Sequence, residues 1–290
     1  MTRLPTVRLF TVAAVASSLV FTAACSSSSG GKNASVTPST GASAAASGGG
    51  GSGTLTIGTS ADFPPMMVRD PQDPTKLSGF EYDMVGAIMQ HLRQKYTFKI
   101  QSFSGLVPAV QAHQLDVVVS DVYDTSAREK VVDFVDYLQT TLSVLVAQKN
   151  AANVHSFTDL CGKSLGVVTG AATEATTADA ASKQCQSAGK AAIKVVSLPG
   201  VPDELVQIDN GRLDAMLEDA LSLAYVVKTQ PGKYAVAFDD SSTATKIGLI
   251  VAKGSPLKAK LAEGVQWYLQ SPQYKTDAAK WGIPNASLLH

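Results

Sequence analysis

The stretch Asp116 to Phe134, DVVVSDVYDTSAREKVVDF, narrows the possible folds more than any other part of this chain. It opens on Val117, Val118 and Val119, a β-branched apolar run that reads as a parallel strand buried on both faces. A polar turn follows, Ser120 to Asp124. A short helix is expected from Thr125, with Asp124 or Thr125 as its cap and Arg128 one turn in. In a doubly wound sheet, ligands sit at the carboxyl ends of strands. Ser120, Asp121, Tyr123, Thr125 and Arg128 are therefore aimed at one crevice. A guanidinium there suits a carboxylate held by two parallel hydrogen bonds. The plain alternative is that Arg128 is a solvated helix residue.

The flanking chain reads as β-α-β-α-β. Leu55 and Ile57 alternate with Thr54 and Thr56 as a first strand, ending in the loop Gly58 to Pro65. Phe63, held extended before two prolines, is either a ring over a ligand or a core aromatic. Gly79 to Lys95 carries Phe80, Met84, Ile88 and Leu92 at helical spacing. A strand from Thr97 to Ser102, a turn Phe103-Ser104-Gly105 and a helix from Leu106 to Gln114 lead into the valine strand. That order requires parallel pairing with right-handed crossovers.

A second block begins with the apolar strand Leu142 to Gln148 and a short helix, Ser156 to Leu160. The strand Lys163 to Thr169 ends at Gly170, a strand-to-helix turn whose free N–H groups favour an anion. A helix through Cys185, a strand from Ile193 to Ser197 and a helix from Asp203 to Asn210 follow, the last ended by Gly211. The strand Leu213 to Leu217 carries Glu218, Asp219 and Ala220 at its carboxyl end, and Leu221 to Lys228 is helical. Thr245 to Ala252 reads as a long strand returning to the first block. Helices Leu257 to Gln270 and Gln273 to Trp281 complete the chain. Each block thus ends a strand on a charge, Arg128 in one and Asp219 in the other. Facing each other across a cleft, they match the carboxylate and ammonium of an α-amino acid.

The first residues need separate treatment. Arg3 and Arg8 precede a short apolar run, Leu9 to Thr22, that ends in Ala23-Ala24-Cys25. Residues 1–24 read as an export signal. Cysteine after small residues resembles the lipobox of bacterial lipoproteins, with Phe21 where leucine is usual. Lipidated Cys25 would hold the protein on the outer side of the cell membrane, each buried methylene contributing ~0.8 kcal/mol. Ordinary cleavage at an Ala-x-Ala-like site would instead leave a free secreted protein. Residues 25–53, nearly all Ser, Gly, Ala and Thr, read as a tether spanning about 30 Å as a coil. Cys161 and Cys185 remain. Export implies an oxidising compartment, where such a pair is normally a disulfide; no histidine lies near either, which argues against a metal pair. Balanced charge, 24 basic against 24 acidic groups, gives no nucleic-acid surface. No apolar run approaches the ~20 residues of a spanning helix.

In these terms the chain resembles the solute-binding proteins of polar amino-acid ABC importers, bacterial family 3. The pieces are Gly58-Thr59 with Phe63-Pro64-Pro65; Gly79-Phe80-Glu81-Tyr82-Asp83; Leu106-Val107-Pro108-Ala109-Val110 through Leu115-Asp116; Thr125-x-x-Arg128 through Asp133-Phe134; Asp159-Leu160-Cys161-Gly162-Lys163; Gly170; Gly211-Arg212-Leu213-Asp214-Ala215 with Asp219; and Lys280-Trp281-Gly282. They cover about Thr54 to Ile283. The resemblance implies an α/β, two-lobed type II periplasmic-binding-protein fold, each lobe a mostly parallel sheet flanked by helices, with a two-strand hinge. Lobe 1 would be residues 54–141 with 245–290, and lobe 2 residues 142–244. By the family pattern Arg128 grips the ligand carboxylate with backbone N–H groups near Gly170 and Ala172, Asp219 accepts from the ammonium, and Phe63 and Phe103 sandwich the side chain. The implied partners are an amino acid, the permease and ATPase subunits of an importer, and the membrane through the lipid anchor; the protein would be a monomer without a cofactor.

Two positions depart from that pattern. Asp121 and Tyr123 stand where small hydroxyl residues or glycine are usual. A cleft holding Asp121, Asp219 and also Glu218 and Glu174 is richer in acid than one zwitterion requires, and unpaired buried carboxylates are costly. A ligand with a second positive group, arginine, lysine, ornithine or a relative, would offset that. Alternatively, Asp121 turns away and caps the helix at Thr125. Other functions on this fold are a cyclohexadienyl-dehydratase-like enzyme, using Glu174 or Asp121 as an acid, or a ligand-sensing receptor domain.

Overall fold

The computed structural model describes residues 53–70 and 72–289. The expected export signal, the lipidated Cys25 and the tether up to residue 52 lie outside the described residues. Among the described residues, no helix is long and apolar enough to cross a membrane.

Chain order alternates strands and helices from the start. β1 (Leu55–Thr59) leads into a small antiparallel sheet, β2 (Asp62–Phe63), β3 (Met67–Arg69) and β4 (Leu77–Ser78). Next come α1 (Phe80–His91), β5 (Tyr96–Ile100), α2 (Phe103–Gln111), β6 (Val117–Val118), β7 (Tyr123–Asp124) and the one-turn α3 (Ser126–Glu129). β8 runs from Val132 to Ala147. After two short 3-10 turns follow β9 (Ser164–Val168), α4 (Ala172–Ser187), β10 (Lys194–Leu198), α5 (Val201–Asp209), β11 (Ala215–Asp219) and α6 (Ala220–Thr229). β12 (Tyr234–Ala252), α7 (Leu257–Gln270) and α8 (Pro272–Trp281) close the fold.

One nine-stranded sheet runs β10-β9-β11-β8-β12-β6-β1-β5, with β7 beside β12. β1 pairs in parallel with β5 and β6, and β9 in parallel with β10 and β11, as the β-α-β order requires. The two parallel groups make two lobes. Between them β8 and β12 pair antiparallel through both, Tyr234 opposite Ala147 at one end and Ala252 opposite Val132 at the other. Their register breaks between Asp240 and Thr245, where the Leu142 amide donates to Thr243 Oγ1 at 2.7 Å instead of to a strand carbonyl.

The core supports this frame. Val117, Val118 and Val119 are fully buried, as the valine run predicts. Phe80 stacks on Tyr137 and packs against Tyr268 and Tyr274 in the first lobe. The buried hydroxyls are satisfied, Tyr274 donating to the Tyr137 carbonyl at 2.7 Å and Tyr268 to Asp277 Oδ2 at 2.8 Å. Cys161 and Cys185 form a disulfide with a Cα separation of 5.6 Å, tying the chain before β9 to α4.

Three expectations need correction. The expected turn Phe103-Ser104-Gly105 is the first turn of α2; the break is at extended Ser102, one residue earlier. β12 begins at Tyr234, well before Thr245, because its first half is largely polar and partly exposed, and so lacks an apolar run. The strand expected to begin a second block at Leu142 is the second half of β8, which starts at Val132 in the first lobe.

Candidate functional site

Local chemistry sets the geometry around Arg128. Thr125 is extended and caps α3 with its own side chain, its Oγ1 accepting from the Arg128 amide at 3.3 Å. That capping turn directs the Arg128 side chain toward the second lobe. Arg128 Nη1 donates to the Tyr123 carbonyl at 3.1 Å and Nη2 to the Gly170 carbonyl at 3.4 Å, and its guanidinium lies 5.9 Å from the centre of the Phe103 ring. Gly170 thus offers its carbonyl to Arg128. Its positive φ of 92° and its approach to Ser104 both require glycine: an added Cβ would lie 2.8 Å from Ser104 Cα. Ala172, the first residue of α4, is exposed beside it. A cavity of about 130 Å³ opens here, lined by Phe103, Ser104, Val107, Val122, Arg128 and Gly170. A larger one, about 760 Å³, lies along the crossing strands and α6, and none of Asp121, Glu174 or Asp219 lines it.

Asp219, the last residue of β11, is buried and caps α6, its Oδ1 accepting from the Leu221 and Ser222 amides at 2.7 and 3.1 Å. Its other oxygen accepts from the Tyr123 hydroxyl at 3.0 Å. Tyr123 therefore joins the two charges: its carbonyl holds Arg128 and its hydroxyl holds Asp219. Arg128 and Asp219, which the sequence reading set on facing strand ends, thus meet through Tyr123.

Asp121 faces inward. Its φ is +52°, and its amide donates to Glu81 Oε1 at 2.6 Å. Its Oδ1 is buried without a partner. The capping alternative is excluded, because Thr125 does that work. Burial first, then the charges of Asp219, Glu81 and Glu174, hold the Asp121 carboxyl well above the ordinary range. Ser120 is tied to Ser60 at the end of β1, accepting from its amide at 3.0 Å. Phe63 and Phe103 are both buried, with ring centroids 5.2 Å apart, edge to face. A flat group sandwiched between parallel rings needs about 7 Å, so a side chain can enter only as the rings part.

Further carboxylates complete the site. Glu174, in the first turn of α4, is buried and its pKa is raised to about 7, burial outweighing the opposing charge of Arg128. Glu81 is fully buried, accepts from the Tyr137 hydroxyl as well as from Asp121, and is also raised to about 7 by burial. Glu218 and Glu204 are buried and held well above the ordinary range by burial and by neighbouring acids. Glu81 and Glu204 were not flagged as site residues by the sequence: each sits in the first turn of a helix, where acid complements the dipole. The described histidines lie elsewhere, His91 stacking on Trp267 and His113 and His155 exposed.

Such an arrangement can grip an anion with Arg128 and cations with several acids, between lobes. An arginine-binding protein, ArgT, of Corynebacterium glutamicum is 26% identical over 236 residues, covering 81% of this chain and 76% of its own length. An L-arginine-binding protein of Pseudomonas aeruginosa is 29% identical over 227 residues, 76% of this chain and 84% of its own. Among solved structures, an ancestral arginine-binding protein bound to arginine superposes with a TM-score of 0.69 at 30% identity, covering 79% of this chain and 98% of that one. The family model for bacterial extracellular solute-binding proteins, family 3, matches residues 55–284. The two-lobed fold and the matched span together place this chain in the bacterial extracellular solute-binding proteins, family 3.

Proposed function

We propose that the protein captures a basic amino acid, L-arginine foremost, between its lobes and delivers it to the permease of an ABC importer. The observation that carries this is the charge imbalance of the cleft. Arg128 stands against Asp121, Glu174 and Asp219, all three acids buried, and a monocarboxylate ligand with two cationic groups narrows that deficit. Arg128 grips the α-carboxylate with Gly170 and Ala172 beside it, Asp219 takes the α-ammonium, and Phe63 and Phe103 part to flank the side chain. Tyr123 and Asp121 complete the ammonium end. The arginine-binding relatives support the same ligand class.

The lobe limits follow the register break in the crossing strands: residues 54–141 with 245–290, and 142–244. Closing about that pair is a population shift driven by ligand contacts made only in the closed form. In this reading the protein works outside the cytoplasm as a monomer, anchored by lipid on Cys25, without catalysing a reaction. Titration calorimetry across the amino acids, with native mass spectrometry of the protein as purified, tests it. Submicromolar arginine or lysine binding is expected; tight glutamate binding with none for arginine would end the proposal.

A further inference from the structure

The turn that carries Asp121 is pinned at both ends and gripped in the middle. Before it, the Val119 amide donates to the Gly58 carbonyl at 2.9 Å, and Ser120 Oγ accepts from the Ser60 amide at 3.0 Å. After it, the Val122 carbonyl accepts from the Gly248 amide at 3.1 Å. Asp121 stands between these anchors in the left-handed region, at φ +52°, and its amide donates to Glu81 Oε1 at 2.6 Å. Aspartate tolerates that region better than most residues with a Cβ, but the conformation still persists only where the surroundings over-determine it. An amide bonded to a carboxylate is among the stronger bonds available to hold it.

Gly79 fixes where Glu81 sits. Its φ is +134°, and an added Cβ would stand 2.2 Å from the Met66 carbonyl oxygen. With glycine there, the Phe80 and Glu81 amides donate to the Pro65 and Met66 carbonyls at 2.9 and 2.8 Å, and α1 begins. Glu81 is thereby set in the first turn of α1, fully buried. Its Oε1 also accepts from the Tyr137 hydroxyl on the crossing strand β8. Tyr137 is itself held, its ring stacked on Phe80 and its carbonyl accepting from Tyr274 at 2.7 Å. One oxygen of Glu81 thus has two donors from two elements, while Oε2 is buried without a partner. The reach to the Asp121 amide depends on an acceptor at Oε1, not on the second oxygen.

We propose that Glu81 is a positioning residue for the ligand cleft: by holding the Asp121 amide it keeps residue 121 left-handed and its carboxylate turned toward the ammonium end of the ligand. This rests on the reading of the Arg128–Asp219 site as an amino-acid clamp. Asp121 is a cleft group by virtue of its backbone, because moving φ from positive to negative swings the Cβ, and the carboxylate with it, to another side of the turn. The second-lobe acids Asp219 and Glu174 both act on that carboxyl, which puts it on the cleft side. Glu81 acts through Asp121, and Tyr137 ties it to the strand about which the lobes move.

Two readouts separate positioning from mere support. The first is the crystal structure of Glu81→Met, of similar length but without an acceptor, beside that of the unaltered protein. Residue 121 is expected to leave the left-handed region in the variant; a φ that stays positive with the carboxylate in place overturns the proposal, whether or not an amino acid binds. The second is titration calorimetry with L-arginine on the unaltered protein, Glu81→Met, Asp121→Gly and the double variant. Glu81→Met is expected to weaken arginine binding about tenfold or more in the unaltered background. In the Asp121→Gly background it should change affinity by less than about twofold, because glycine adopts the positive φ freely and no carboxylate is left to place. Glu81→Gln keeps an acceptor oxygen for both donors and is expected to hold affinity within about threefold of the unaltered protein. An equal loss in both backgrounds means that Glu81 only supports the fold, and overturns the positioning role. Should Glu81→Met fail to fold, Glu81→Asp, which keeps the charge and withdraws the carboxylate by one methylene, is expected to show the same dependence on Asp121. Absence of binding by any amino acid to the unaltered protein overturns the clamp reading, and the backbone of residue 121 in the first readout still decides whether Glu81 positions it.

Discussion

The Tyr123 hydroxyl donates to Asp219 Oδ2 across 3.0 Å, joining residues 96 positions apart in two different lobes. This contact occupies the acceptor assigned to the ligand ammonium. Tyr123 thus touches both charged groups of the cleft, and its hydroxyl competes with an ammonium for Asp219 Oδ2.

Tyr123→Phe removes that donor and little else. Asp219 keeps its two amide donors on Oδ1 and loses the one on Oδ2. Leaving a buried carboxylate oxygen unpaired costs about 1–3 kcal/mol. The empty variant should therefore melt lower, while the rise in melting temperature on adding arginine should grow, because the ammonium replaces a donor that is missing. A melting temperature that falls equally with and without arginine would show that the hydroxyl has no ligand-linked role.

Arg128→Lys keeps the charge and loses the planar fork. A lysine cannot serve the Tyr123 and Gly170 carbonyls and also grip a carboxylate with two parallel bonds. Affinity for L-arginine should fall roughly 10–100-fold, with the melting temperature of the empty protein little changed. Agmatine, which lacks the carboxylate, should lose much less, and equal losses for the two ligands would refute the carboxylate role.

Much of this was legible in the sequence because it is local. The valine run, the Thr125 cap and the strand ends carrying Arg128 and Asp219 each depend on a few neighbours. The crossing pair was harder. The first half of β12, with Asp239 and Asp240, has no apolar signature, and it is a strand only because β8 pairs with it. Glu204 and Glu218 were hidden in another way. Asp203-Glu204 opens a helix and reads as solvated acid that suits the dipole. Glu218 offered one signal: it stands inside AMLED, a strand buried at every position. Glu204 lies against Gly166, a contact between distant parts of the chain.

Acidity should act on binding and stability in opposite directions. Burial raises Glu81 and Glu174 from the ordinary 4.5 to about 7. Between those values the unfolded chain has ionised while the folded, empty protein still holds the protons. Empty-protein stability from these groups is therefore greatest at low pH and is lost as pH rises from about 4.5 to 7. Asp133 works the other way: the Gly254 amide, then Lys253 and Lys258, hold it at about 2. Its contribution is present above about 4 and disappears as pH falls toward 2. A dibasic ligand prefers the ionised acids, so arginine affinity should rise between pH 5 and 7.5 with net proton release. Calorimetry in buffers of different ionisation enthalpy measures that release, and a flat affinity across the interval would contradict it.

Reducing the Cys161–Cys185 disulfide reopens a loop with a sequence separation of 24. The chain-entropy model gives roughly 3 kcal/mol for such a loop. For a fold of this size that corresponds to a melting temperature lower by roughly 6–12 °C. The bond lies between the chain before β9 and the later turns of α4, whereas Glu174 is in the first turn. Ligand affinity at 25 °C should then stay within about threefold of the oxidised protein, as titration of Cys161→Ser/Cys185→Ser would show.

Gly170→Ala separates closure from folding. Gly170 belongs to the second lobe and meets Ser104 of the first at a distance no side chain permits, 2.8 Å from the added Cβ to Ser104 Cα. That neighbour is backbone, so a rotamer change cannot relieve the clash. The positive φ adds about 1–2 kcal/mol of strain for a residue with a Cβ. The lobes can escape the clash by staying apart, because the β8–β12 crossing lets them separate without disturbing either core. The variant should remain folded, lose arginine affinity by at least tenfold since only the closed form makes both sets of contacts, and show a larger radius of gyration in small-angle scattering that arginine no longer reduces. A variant that closes normally on arginine would mean that the Gly170–Ser104 approach plays no part in bringing the lobes together.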